Sequence, residues 1–163
     1  MPFSDSQRPS VLAHQRFVAD RASFADLNLQ QRFQRIHDTN LWGAEASVSG
    51  LGSEWDATAA LRAELPALLR RLQVTSLLDA PCGDATWILR ADLGVRIIGV
   101  DIVPDLIEAL RGRAARGDIE GEYRLADITR DMLPRCAATA SCISPLPISR
   151  APCRIFAAQA RPG

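Results

Sequence analysis

The run Ser76-Leu77-Leu78-Asp79-Ala80-Pro81-Cys82-Gly83-Asp84, followed by Ile97-Ile98-Gly99-Val100-Asp101, constrains this chain more than any other feature. Each half holds a short apolar stretch that ends on an acid. Val74 to Leu78 and Val95 to Val100 are nearly continuous apolar segments, the pattern of strands in a parallel sheet covered on both faces. Between them, Asp84 to Arg90 has room for one short helix. Strand, tight turn, helix, strand and acid make the front half of a nucleotide-binding α/β unit. There the turn backbone approaches the ligand, and the acid after the second strand takes ribose hydroxyls. The three-glycine fingerprint of dinucleotide sites is absent, which argues against NAD or FAD.

The flanking pattern extends this reading. Pro104 suits the first turn of a helix whose buried face is Leu106, Ile107 and Leu110. Arg111 to Gly121 has the glycines and charges of a fraying helix end and loop, and Tyr123 to Ala126 is a short third strand followed by Asp127. Upstream, Ser53 stands at an N-cap position with Asp56 three residues on. Leu61, Leu65, Leu68, Leu69 and Leu72 then form one stripe, predicting a helix of about five turns with a bend at Pro66. Asn40 to Ser53 is rich in Gly and Ser and reads as a loop. Val11 to Asp38 places apolar residues at loosely helical spacing, suggesting one or two amphipathic helices. The expected fold is therefore α/β, a Rossmann-like doubly wound parallel sheet with an N-terminal helical cap. Three regions follow: a cap at 1–39, a partial cofactor-binding domain at 40–134, and an aberrant, disordered tail at 135–163.

Composition excludes some functions. With 163 residues, 47% hydrophobic and 23% charged, the chain has the size and balance of one globular domain. The formal net charge is zero, so the positive field of a non-specific nucleic-acid binder is missing. No apolar run reaches membrane-spanning length and the N-terminus lacks a signal pattern, so a cytoplasmic location is expected. Cys82, Cys136, Cys142 and Cys153 have no CxxC pairing and no histidine cluster, and read as thiols outside any disulfide or metal set. Trp87 reads as a packed aromatic, and His14 and His37 as surface or capping residues. No general base and no metal ligand are assigned.

The string DAPCGD, with Trp87 three residues on, resembles one bacterial branch of the class I S-adenosylmethionine-dependent methyltransferases. In that family's first signature an acid is followed by three residues, a glycine, one residue and another glycine. Asp79, Gly83 and Ala85 occupy those positions, with Ala85 replacing the last glycine and Pro81 standing where a glycine is common. The resemblance covers roughly Trp42 to Pro134 and implies S-adenosyl-L-methionine as cofactor. Ala80, Pro81, Cys82, Gly83 and Asp84 would cradle its methionine part, with Asp79 organising the turn and the amino group. Asp101 would accept both ribose hydroxyls, Ile102 would pack on the adenine face, and Asp127 with the Ile128 N–H would address the adenine edge. The segment Glu45 to Ser53 looks like one that closes over the cofactor, with a plain connecting loop as the alternative. The resemblance identifies no methyl acceptor.

After Met132-Leu133-Pro134 the sequence loses strand periodicity, gathers Pro145, Pro147, Pro152 and Pro162, and offers no apolar run suited to a central strand. A complete domain of this family needs further strands, so the chain is expected to be truncated or frameshifted. Permitted codons for Cys136 to Ser144, read two nucleotides in, translate to CRDCLVHL, which resembles the fourth strand of the same branch. A disordered tail on a short protein is the alternative. Two functional readings stay open beside the methyltransferase: a non-catalytic remnant, and a Rossmann-type nucleotide binder of another class.

Overall fold

A computed structural model describes residues 12–43, 45–133 and 138–140. The elements run α1 (Leu12–Ala19), a 3-10 turn (Arg21–Phe24), α2 (Leu29–Asp38), a second 3-10 turn (Leu51–Ser53), α3 (Ala59–Arg71), β1 (Ser76–Asp79), α4 (Thr86–Arg90), β2 (Arg96–Asp101), α5 (Pro104–Ala115), β3 (Glu122–Leu125) and β4 (Ala138–Ala140). All strand pairings are parallel and the order is β3-β2-β1-β4. This is the order at the centre of a doubly wound α/β sheet, where the chain reverses beside its first strand.

Alternation along the strands divides the buried residues. Leu77, Ile97 and Tyr123 share one cluster with Leu65 and Leu69 of α3, Trp87 and Ile88 of α4, and Ile107 and Leu110 of α5. Leu78, Ile98 and Val100 form the opposite cluster, with Ala126 and Leu133 against it. Among the described residues, all three of these helices thus contribute to one face. Gly99 makes that face possible: a Cβ there would lie 2.7 Å from the Tyr123 ring and 3.0 Å from the Cys82 sulfur. No side chain fits at that point of β2 without displacing the ring.

Helix ends depart from the expected ones for identifiable reasons. The Ser53 hydroxyl does not start α3; the helix begins after Thr58, and at 13 residues it is shorter than five turns. Arg62 reaches back instead, donating to the Trp55 carbonyl at 2.7 Å and the Thr58 hydroxyl at 3.2 Å. Its guanidinium and that of Arg90 also stand 3.3 and 4.0 Å from the Trp55 ring centre. That stack lies over the turns at residues 55–58. At the other end Gln73 takes φ +53, and the Gln73 and Val74 amides bond back to Arg70 and Leu69. This double closure is a Schellman ending, with Val74 continuing into the core. α5 continues past Arg111 to Ala115, where fraying was expected, because Leu110 and Ala114 pack on the core.

The N-terminal helices form a small cluster of their own around Ala13, Phe24 and Leu41. α2 begins with a capping box in which the Asn28 side chain accepts the Gln31 amide and Gln31 accepts the Asn28 amide. It docks on the sheet through Gln30, whose side-chain amide donates to the Ile102 carbonyl at 3.2 Å. Gln34 adds a second tie, donating to Asp38 and to Asp105 of α5 at 2.7 and 2.8 Å. His14 is exposed, while His37 is half-buried with Nδ1 3.1 Å from Asp38.

Three residues of the region expected to be a tail join the sheet. Ala138–Ala140 pairs with β1 in register Leu77 to Ala138 and Asp79 to Ala140, although no apolar run announced a strand. Ladder bonds use only backbone groups, so three small residues suffice where an open strand edge supplies partners. The rest of the expected disordered tail, with Cys136, Cys142 and Cys153, lies outside the described residues.

Candidate functional site

The acids singled out in the sequence stand at or beyond the carboxyl ends of three adjacent strands. Asp79 closes β1 and Asp101 closes β2, while Asp127 follows β3 by two residues. Parallel pairing sets Asp79 level with Gly99 and Asp101 level with Leu125. Asp101 therefore projects one pleat further along the sheet than Asp79.

Between the first two acids runs the turn Ala80 to Asp84, entered through a cis Ala80–Pro81 bond. The Cys82 amide still bonds to the Val100 carbonyl at 2.9 Å, extending the pairing of β1 with β2 beyond the strand. Cys82, the one cysteine among the described residues, is a buried thiol 3.6 Å from the Gly83 carbonyl. Ala80 and Gly83 are buried, and Pro81 faces solvent.

Asp101 ties the turn down. Oδ2 accepts the Gly83 amide at 2.8 Å and Oδ1 accepts the Val103 amide at 3.0 Å, with the residue only 5% exposed. Burial raises its pKa, opposed by backbone donation from Val103, Gly83 and Ile102. Asp79 has no such support. It is 1% exposed, and both carboxylate oxygens are buried without a hydrogen-bond partner among the described residues. Its pKa is pushed up to about 7, first by loss of solvation and then by the nearby charge of Asp101.

Asp84 was expected to open the short helix and to cradle a ligand. It precedes the helix instead, because Ala85 takes a left-handed conformation with φ +53. Its carboxylate accepts the Thr86 amide and the Ser47 hydroxyl on Oδ1, and the Val48 amide on Oδ2, each at 3.1 Å. Its own amide donates to the Ser49 hydroxyl at 2.8 Å. Gly83, at φ +55, sits directly below: a Cβ there would collide with the Ser49 hydroxyl. The segment read as a loop over the site is thus fastened to the turn, with Ser47 almost fully buried.

Ile102 and Asp127 come together in a groove of about 450 Å³ beyond β2 and β3, walled on the other side by Asn28, Leu29 and Gln30 at the start of α2. Asp127 folds on itself there, accepting the Thr129 hydroxyl and amide on Oδ1 at 2.6 and 2.9 Å. The Thr129 hydroxyl, then its amide, holds the Asp127 pKa below the ordinary value. Ile128 is 42% exposed and does not line the groove.

Sequence reasoning missed Ser47, Val48 and Ser49 as partners of Asp84, and Leu29 and Gln30 as a groove wall. The Ser-Gly composition of residues 47–53 was the one available signal for the first group, and nothing in α2 marked the second. Among the described residues no helix is long and apolar enough to cross a membrane.

Neither a protein-family model nor a curated protein sequence matches the chain. Among solved structures it is similar to coclaurine N-methyltransferase bound to N-methylheliamine and SAH, with 19% identity and a TM-score of 0.42. The match covers 80% of this chain and 41% of that one. This chain therefore corresponds to less than half the length of that protein.

Proposed function

We propose that residues 40–134 form the cofactor-binding part of a class I S-adenosylmethionine-dependent methyltransferase, with residues 1–39 as its helical cap. The observation that carries this reading is the Asp79 carboxylate at the end of the first strand, 1% exposed with neither oxygen satisfied among the described residues. A buried carboxylate without partners is costly in either protonation state and is relieved by a cationic donor. The α-ammonium of the cofactor's methionine part is such a donor, so the residues fit the group.

The other roles are those that the family resemblance implies. A carboxylate offers about four lone-pair sites, so Asp101, which accepts the Gly83 and Val103 amides, keeps acceptor capacity toward the ribose hydroxyls. Ile102 supplies an apolar wall for the adenine, with Asp127 at its edge. Ala80 to Asp84 line the methionine part. When bound, the cofactor supplies a methyl group on a sulfonium sulfur, and the protein's contribution is to position it.

Isothermal titration of the full chain with S-adenosylmethionine, and separately with NADH, tests the reading. Saturable binding of the first alone, weakened at least tenfold in a folded Asp101→Asn variant, supports it. A folded sample that binds NADH, or binds neither, refutes it.

A further inference from the structure

The fastening of residues 47–49 to the turn after β1 has a consequence for ligand entry. In open α/β sheets, ligands occupy the crevice beyond the carboxyl ends of the strands, and the first turn brings backbone N–H groups to them. Here the Asp84 amide is such a donor, but it is taken by the Ser49 hydroxyl at 2.8 Å. The hollow left by the missing side chain of Gly83 is filled by the same hydroxyl.

The remaining contacts hold this arrangement from the side. Asp84 receives the Ser47 hydroxyl and the Val48 amide, each at 3.1 Å, and Ser47 in turn receives the Ser49 amide at 3.3 Å. Just before them, the Glu45 and Ala46 amides are anchored on the Glu54 carboxylate at 2.9 and 3.4 Å. Gly50, at φ +106 beneath the Trp42 ring, ends the segment. These contacts bracket four residues, Ser47 to Gly50.

We propose that Ser47–Gly50 is a displaceable plug, in which the Ser49 hydroxyl holds the place of a ligand carboxylate oxygen on the Asp84 amide. The proposal rests on the cofactor reading above, the carboxylate being that of the methionine part. A hydroxyl is a neutral acceptor. A carboxylate accepts the same N–H in a charge-assisted bond roughly twice as strong, and so can take the donor from Ser49. The Asp84 carboxylate does not compete for its own amide, since the Thr86 amide, the Ser47 hydroxyl and the Val48 amide already engage it.

The plug makes a prediction opposite in sign to that of a lid. Hydrogen–deuterium exchange on the full chain, with and without S-adenosylhomocysteine, should show faster exchange in the peptide holding Ser47–Gly50 when ligand is present. Ser49→Ala, which loses one bond of the closed plug, should bind S-adenosylhomocysteine about fivefold more tightly than the parent chain. If that variant does not fold, Ser47→Ala removes a neighbouring bond and carries the same expectation. Slower exchange in the segment, or affinity unchanged or weakened in the variant, overturns the plug while leaving the cofactor reading intact. Absence of binding by both folded proteins overturns the two together.

Discussion

Asp101 accepts the Gly83 amide at 2.8 Å and the Val103 amide at 3.0 Å, so a single carboxylate joins the turn after β1 to the loop after β2. Both donors are backbone groups, and Asp101 is buried. An asparagine keeps one acceptor oxygen and turns a second donor toward a backbone N–H. Asp101→Asn is expected to lower stability by about 1–3 kcal/mol, read as a reduced urea midpoint at unchanged slope. A midpoint equal to the parent's would show that the bridge contributes nothing.

Asp79 should make stability fall as pH rises. Its folded pKa of about 7 lies above the ordinary value of 3.8, so the folded protein holds the proton more tightly than the unfolded chain. The associated stabilisation is fully present below about pH 4 and is lost as pH rises through 7, amounting to on the order of 4 kcal/mol. Asp79→Asn removes this dependence and should be more stable than the parent at pH 8. Urea titrations at pH 5 and pH 8 measure both slopes, and parallel behaviour of the two proteins contradicts the assignment.

Gly99→Ala tests the close approach over β2. The added methyl would lie 2.7 Å from Tyr123 and 3.0 Å from Cys82, and the ring cannot withdraw easily because Tyr123 is 4% exposed. Overpacking of this kind costs typically about 1–3 kcal/mol. Thermal unfolding followed by circular dichroism reads the loss, and an unshifted midpoint would mean that the ring moves freely.

Asn28→Ala removes one half of the capping box at the start of α2. The expected loss is about 1 kcal/mol. Because Asn28, Leu29 and Gln30 wall the groove at Ile102 and Asp127, weaker binding of S-adenosylhomocysteine should accompany it. Loss of stability with undiminished affinity would separate α2 from the ligand site.

Much of the sheet was legible because its signals are local. Leu77-Leu78-Asp79 and Ile97 to Asp101 carry their strand character and their terminal acids within a few consecutive residues, and Leu106, Ile107 and Leu110 carry the helix face in the same way. Strand limits differed by one or two residues, since a strand ends where its partner's backbone ends. The start of α3 was misread because Ser53 has the residue type of a cap, whereas the side chain that organises the turn is Arg62, stacked on Trp55. β4 was missed because Ala138–Ala140 has no strand signal apart from the edge it meets.

The sequence by itself determined the β-α-β unit, the parallel order it implies and the three acids at the strand ends, because apolar runs and their terminal residues act over short stretches of chain. The tertiary structure alone decided what those acids do. It left Asp79 without a partner among the described residues, spent Asp101 on Gly83 across 18 residues, and brought Ser49 onto the Asp84 amide from 35 residues away. Hydrogen bonds between single polar groups have no periodicity along the chain, so their pairing emerges only when packing has set the distances.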